Sequence, residues 1–418
     1  MGRLPEQCDV AVVGGGPAGL AVATELMRIG VTDVIVLERE SQAGGIPRHC
    51  GHSPFGVREF GRVYSGPKYA RRLVDRATGH GVGLYTNTTV VSFGTDGTLL
   101  LATAEGIKHV QARRVVLATG VRETPRPPRL ISGQRPIGIT TTGALQSQVY
   151  LKGTAPFSRP LIVGTELVSF SALLTCRHAG IRPVAMLERN NRITARSGAA
   201  LLPRISGIPV LLDARLERIT GRKRVTGIDY LERSGECRHL ECDGVVFTGQ
   251  FTAEASLGRM GHLEMDPKST GHAVDQFGRC SDPVYFATGN VLHPVETAGW
   301  CWSEGIRTAH YIKLDLAEQL PDVKSRIEIE CRDPVLKYIV PQYISLPARQ
   351  DGPCGKHYLQ LRFSRTARGR LYLVSDSGVS WSGRVSGMPE RRVLVPVSRE
   401  VCQGQTGTLG LRFEETGS

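Results

Sequence analysis

The chain alternates short apolar runs with amphipathic stretches in a βαβ order from its first residues. The run Val10 to Val13 ends in a glycine turn, continues with apolar residues at helical spacing, and meets a second apolar run, Val34 to Leu37. This pattern predicts strand, tight turn, helix and strand over residues 8–38. The same succession recurs from Arg159 to Glu188, which predicts an internal repeat offset by 150 residues. Between the copies, Gly66 to Thr78 has helical spacing with Tyr69, Leu73 and Ala77 on one face. Short strand patterns follow in GVGLYTNTTVVSF, TLLLAT and KHVQARRVVLATG, with turn signals at Thr95-Asp96-Gly97 and Glu105-Gly106. They read as a β-meander and the last parallel strand of the first unit. Further strands are expected around Val210, over Val225 to Leu231 and over Val245 to Thr248. The pattern then returns to a buried strand in VYFATGN and to a helix, Thr297 to Tyr311, whose wider apolar stretch stops before Pro321. Beyond it, residues alternate apolar and polar with period two, which predicts a small antiparallel β-domain.

The predicted class is therefore α/β: two Rossmann-like dinucleotide-binding folds, one inserted in the other, and a small C-terminal β-rich domain. The expected boundaries are 1–150 with 275–320 for the first unit, 155–274 for the second and 321–418 for the tail, with Val121 to Pro136 as a linker. A length of 418 residues supports two or three cores. No apolar run approaches the ~20 residues of a membrane span, and MGRLPEQ lacks the apolar stretch of a signal peptide. A cytoplasmic setting is expected, with the ten cysteines as thiols. The net charge is +13, and residues 48–135 hold 14 Arg or Lys against 5 Asp or Glu. That surplus favours anionic ligands or an acidic partner. No basic run with interleaved aromatics points to nucleic acid.

Candidate chemistry concentrates at the two turns. Gly14, Gly16 and Gly19 form G-x-G-x-x-G, and Glu38 follows Gly14 by 24 positions. In register with strand and helix, this arrangement lets the backbone approach a pyrophosphate, places it on a helix N-terminus and offers Glu38 to a ribose. The copy has Gly164, Glu166 and Ser169, with Glu188 again 24 positions on. A carboxylate at the middle position sets negative charge against phosphate.

With these motifs, ATGVRE at 118–123 and the late VYFATGNV, the chain resembles the two-dinucleotide-domain flavoproteins over about residues 8 to 315. The resemblance implies FAD in the first fold. It implies cofactor contacts at Gly14, Gly16, Pro17, Ala18, Gly19, Glu38, Arg39, Gly45, Ile46 and Val90. It adds Ala118, Thr119 and Gly120, then Gly289, Asn290, Thr297 and Ala298. Asn290 stands where the family usually has an acid bonding the ribityl chain. The paired redox cysteines of its disulfide reductases are missing: Pro47 and His52 hold their positions, with Cys50 alone between. Disulfide exchange needs a resolving thiol, so it is not expected. Cys237 and Cys242 read as surface thiols flanking a hairpin turn; Cys331, Cys354 and Cys402 lack iron–sulfur spacing, and no metal is expected.

ATGVRETPR, RPIGITTTGALQ, GGIPRHCGHSPFG and SGPKYA are similar to flavin subunits of heteromeric dehydrogenases such as opine oxidase, hydroxyproline dehydrogenase and hydrogen cyanide synthase. They are also similar to FAD oxidoreductases that accompany glycerol-3-phosphate-type dehydrogenases. The implied partner is a second dehydrogenase subunit, and the implied substrate is a small amino or hydroxy acid or a polyol phosphate. Expected residues near the flavin are Arg48, His49, Cys50, His52, His293, Glu296 and Trp300, the four His and Cys among them as catalytic candidates. The degenerate second turn argues against NAD(P)H. An NAD(P)H-dependent reductase tolerating Glu166 and a non-catalytic FAD-binding scaffold stay open as alternatives.

Overall fold

The structure, a computed structural model, describes residues 3–195, 198, 201–322, 326–346, 357–375, 378–397 and 407–416. Its first sheet runs in the order Gly83–Tyr85, Val34–Leu37, Gln7–Val13, Gly106–Leu117, Thr98–Thr103 and Thr89–Phe93; Tyr285–Ala287 also pairs with Gly106–Leu117. The long strand Gly106–Leu117 does two jobs. Its first half closes the antiparallel meander, while its second half lies parallel to both Gln7–Val13 and Tyr285–Ala287. Val13, Leu117 and Ala287 are thereby in register, and the turns that follow them share one edge of the sheet.

Strand alternation explains why the parallel strands are apolar throughout. Val10, Val12, Val34, Val36, Val116 and Phe286 face the helices Pro17–Arg28, Gly66–Gly79 and Ala298–Leu316. Ala11, Val13, Ile35, Leu37, Val115 and Leu117 face the opposite cluster. A sheet covered on both sides needs both sets, and each full burial contributes roughly 1.5–3 kcal/mol. Tyr69, Leu73 and Ala77 are fully buried, as their spacing predicts. The first and last helices approach so closely that a Cβ on Gly305 would sit 2.5 Å from the Ala18 carbonyl oxygen.

A second sheet, wholly parallel, orders Val210–Leu211, Ala185–Leu187, Pro160–Val163, Gly244–Phe247 and Ile139–Thr141. Two expectations change here. Ile139–Thr141 and the helix Thr142–Lys152, placed by sequence with the first unit, pair with this sheet and pack Leu145 into its core. The strand expected over Val225 to Leu231 is Gly227–Leu231, and it leaves the parallel sheet for an antiparallel one with Arg215–Thr220 and Cys237–Glu241. The sheets of the two nucleotide-type folds are bridged by a two-stranded hinge, Val121–Glu123 with Phe251–Ala253.

The tail forms two sheets around its own core of Ile327, Leu359, Leu361, Phe363, Leu371, Leu373 and Leu409. Its strands are antiparallel, except that Arg326–Cys331 runs parallel to Thr408–Glu415. Tyr338 and Val340 reach out of the tail into the first fold's core. Among the described residues no helix is long and apolar enough to cross a membrane.

Candidate functional site

The first glycine turn is shaped by close approach. Gly14 has φ +108°, and a Cβ there would lie 2.6 Å from the Ala118 carbonyl oxygen; a Cβ on Gly19 would lie 2.0 Å from that of Gly14. At Gly16 the nearest atom to a Cβ would be the Gly45 Cα at 4.0 Å, so the space above this residue is open. Gly16 caps the helix Pro17–Arg28 without a side-chain cap, and no acid occupies the first turn. Its leading N–H groups thus face that space with positive dipole and no side-chain acceptor. Glu38, buried beside the turn, accepts from the Gly15 amide through Oε2 and the Glu40 amide through Oε1, both at 2.9 Å. Each oxygen keeps a lone pair for a ribose hydroxyl. These residues fit the pyrophosphate and ribose of a dinucleotide such as FAD.

The Ala118-Thr119-Gly120 turn is anchored to the neighbouring strand by the Ala118 amide on the Val13 carbonyl, while Thr119 Oγ1 donates to Glu254 O at 2.6 Å. Gly289 lies over Ala18. Arg39 and Ile46 are exposed, and the Val90 side chain sits in the core.

The second turn keeps the backbone and loses the opening. Gly164 has φ +114°, yet the Glu166 carboxylate folds onto Gly249, where a Cβ would lie 2.2 Å from Oε2. Gly249 follows Phe247 and Thr248 as Gly120 follows Ala118 and Thr119. The Glu166 carboxylate thus covers the backbone of Gly249, the counterpart of Gly120. Burial, offset in part by Lys337, raises its pKa. Glu188 is spent within the protein: it accepts from the Thr165 hydroxyl, from Thr194 Oγ1 at 3.1 Å, and from the Asn190 amide and side chain at 2.9 and 3.0 Å.

The loop after Gly44-Gly45 enters a 3-10 turn, Ile46–His49, and its side chains separate. Arg48 turns away to Glu40 and the Gln42 carbonyl. His49 is buried, its Nδ1 has no hydrogen-bond partner, and burial followed by Arg48 lowers its pKa. Cys50 is buried and its thiol is pushed up to about 12, first by burial and then by Glu123. A thiol held protonated is a poor nucleophile, so any role of Cys50 is as a hydrogen-bond donor. Its Sγ donates to Gln146 Oε1 at 3.4 Å; Gln146 Nε2 donates to Ser171 Oγ at 2.6 Å, and Ser171 Oγ lies 2.6 Å from His52 Nε2. His52 Nδ1 faces the Ser53 carbonyl at 3.3 Å, so a single donor direction runs from Cys50 to His52. Burial lowers the His52 pKa, which favours the neutral, accepting ring. The chain of bonds ties the first fold's loop to helices Thr142–Lys152 and Leu167–His178 of the second.

Residues at the closing helix are committed elsewhere. Asn290 Oδ1 accepts from the Glu296 amide at 2.7 Å and Nδ2 donates to its carbonyl at 3.1 Å, which pins the loop before Thr297. His293 is buried, with Nε2 2.9 Å from Glu304 Oε1 and Nδ1 unpartnered. Burial opposes its charge, but Glu304 and then Glu296 outweigh it and the pKa is raised. The Glu296 carboxylate is taken by Arg362, Arg392 and Gln360 of the tail. Trp300 likewise lies between the guanidinium groups of Arg58 and Arg392, at 3.6 and 3.2 Å from its ring centre. Both fasten the tail to the closing helix. Thr297 caps that helix without a side-chain bond, and its first turn lacks an acid.

Sequence reading passed over Glu123, Gln146, Ser171 and Glu304. Glu123 accepts from the Gly143 amide at 2.8 Å and the Gly249 amide at 3.2 Å, joining hinge to second fold, and burial raises its pKa. Glu123 lay within the quoted ATGVRE, and Gln146 closes the quoted RPIGITTTGALQ. Cys237 is exposed as expected, but Cys242 is buried, because the turn precedes Cys237 and the strand Cys237–Glu241 separates the two. Cys354 and Cys402 lie outside the described residues. Among the described residues no group of three or more His, Cys, Asp or Glu side chains could hold a metal.

A mixed and a parallel sheet, each carrying a glycine turn after a parallel strand, define the class together with the family match: FAD-dependent oxidoreductases built on two dinucleotide folds. The chain belongs to the pyridine nucleotide-disulphide oxidoreductase family, whose model matches residues 8–311. It is 29% identical over 239 residues to a subunit of opine oxidase from Rhizobium meliloti (strain 1021), covering 55% of this chain and 49% of that protein. It is also 29% identical over 187 residues to hydrogen cyanide synthase subunit HcnB of Pseudomonas aeruginosa, covering 42% of this chain and 38% of that protein. The chain thus spans about half or less of these curated relatives. Its fold is similar to thioredoxin reductase of T. acidophilum, with a TM-score of 0.63 and 21% identity over 75% of this chain and all of that one.

Proposed function

We propose that the chain is the flavin subunit of a heteromeric dehydrogenase that oxidises a small amino or hydroxy acid or a polyol phosphate and passes electrons to a partner subunit rather than to NAD(P). The observation that carries this reading is the contrast between the open space above Gly16 and the Glu166 carboxylate lying on Gly249. The subunit names of the relatives support a partner, and the eight described cysteines, all free thiols, support a cytoplasmic setting. We assign the meander fold and the closing helix to the FAD unit and residues 139–250 to the second, with the tail docked through Glu296.

Bound FAD would supply the hydride- and electron-accepting ring system. The chain's own groups do the rest. The turn at 14–19 and Glu38 hold the dinucleotide half, and the uncapped start of Ala298–Leu316 presents N–H groups and positive dipole to negative charge. His49, neutral through its lowered pKa and with Nδ1 free, is the available proton acceptor of the loop. Cys50 and His52 position that loop through Gln146 and Ser171. Mixing the flavin-loaded protein anaerobically with NADH or NADPH tests the reading: the oxidised flavin band is expected to persist for minutes. Bleaching at catalytic rates would overturn it in favour of a nicotinamide-dependent reductase.

A further inference from the structure

A cleft of about 260 Å³ opens where the hinge, the loop before the closing helix and the tail meet. Its walls are Thr124, Phe251, Thr252, Pro294 and Tyr338, together with the turn Lys268-Ser269-Thr270 and Lys337. None of these side chains is acidic. Among the described residues neither ammonium group has a carboxylate within ion-pairing distance, although Lys337 partly offsets the burial that raises the pKa of Glu166; Lys268 Nζ donates to the Cys331 carbonyl and also faces the Cys331 thiol. The nearest acid of the turn, Asp266, is occupied by the Lys268 and Ser269 amides at 3.3 and 2.8 Å. Thr252 and Thr270 share one hydrogen bond at 3.1 Å, so one of their two hydroxyl protons is left over. Thr270 is held at φ +62°, a conformation a β-branched residue rarely adopts, by its own amide on Asp266 O and by the Ala253 amide on its Oγ1. Phe251 and Tyr338 give the cleft an apolar side, and the Tyr338 hydroxyl is fixed to the Pro294 carbonyl at 3.2 Å.

We infer that this cleft binds a small organic dianion, a dicarboxylate or a phosphate monoester, between Lys268 and Lys337, with the spare Thr252 or Thr270 hydroxyl donating to it. Two ammonium groups without an ion pair, an unspent hydroxyl and walls free of carboxylates are the complement of such a ligand, and charge-assisted hydrogen bonds are the strong ones; the Glu166 carboxylate, which Lys337 stabilises, lies outside the lining. The small volume excludes a dinucleotide. As a seat for the substrate's anionic end the cleft rests on the dehydrogenase reading; as a binding site it does not.

Calorimetric titration of the full chain with succinate and, separately, glycerol 3-phosphate tests it at fixed ionic strength. One of the two is expected to bind with a Kd at or below about 1 mM. Lys268→Met and Lys337→Met should each weaken binding at least tenfold, and the double variant should abolish it. Both lysines are exposed, so flavin content and circular dichroism should stay unchanged. Thr252→Val should weaken binding less than either lysine change. Binding of neither dianion, or undiminished binding by the double variant, would overturn the inference. Dianion binding by a protein whose flavin NADH bleaches would leave the cleft standing and overturn only the electron route proposed above.

Discussion

The two glycine turns start from the same plan and end in opposite states. Each follows a strand of a parallel sheet, each opens a 12-residue helix, and each has a glycine in the left-handed region and a buried acid 24 positions on. What separates them is what fills the turn. In the first, Gly15 offers a backbone amide to Glu38 and Gly16 leaves the space above it empty. In the second, the Thr165 hydroxyl binds Glu188, Ser169 Oγ bonds Thr248 Oγ1 at 2.6 Å, and Glu166 covers Gly249. The strand–turn–helix geometry depends on the first glycine and on side chains that satisfy the turn. The opening above the turn depends on the middle position, so the fold persists whether that position is open or covered.

Copying the second state into the first should have the largest effect. Gly16→Glu would set a carboxylate above the first turn and against the FAD pyrophosphate, where like charges at close range repel. The ratio of flavin to protein is expected to fall at least tenfold while the far-ultraviolet circular dichroism is kept. A variant that still purifies with full flavin would break the comparison. The reverse change, Glu166→Gly, should be weaker, because Thr165 and Ser169 remain. It is expected to bring NADH binding from undetectable to a Kd of about 1 mM. Fluorescence titration measures this, and no gain would show that Glu166 alone does not close the site.

The contrast was legible because it is written in contiguous residues. Turn, helix and strand periodicity all act within about ten positions, and the loss of Gly16's equivalent at Glu166 is visible as one letter. Other features depend on partners far along the chain. The partners of Glu296, Arg362 and Arg392, lie 66 and 96 positions away. Cys50 owes its raised pKa to burial and then to Glu123, 73 positions away. Ile139–Thr141 is three residues long, too short for periodicity to reveal, and its membership of the second sheet comes only from pairing with Val245 to Phe247.

The two acids sharpen the comparison further. Glu188 serves the fold, so Glu188→Gln should cost about 2 kcal/mol of stability in urea unfolding, since hydrogen bonds to a charged acceptor carry about 1.5–3 kcal/mol. Glu38 has lone pairs to spare, so Glu38→Gln should weaken FAD binding about tenfold, which is roughly 1.4 kcal/mol. Equal losses of flavin in both variants would mean that Glu188 is not purely structural.

The smallest effect concerns pH. Burial raises the folded-state pKa of Glu166 above that of the unfolded chain. Between the ordinary carboxylate pKa and the raised one, the folded state holds a proton that the unfolded state has released, so stability falls as pH rises through that window. Glu166→Gln carries no titrating group and escapes this loss. Its stability relative to the parent should be least favourable at acid pH, rise from the ordinary carboxylate range towards neutrality, and level off once the folded Glu166 has ionised. Urea midpoints measured across that range read the difference directly. A constant offset would mean that Glu166 ionises in the fold as freely as in water, and that burial in the second cradle does not disfavour its charge.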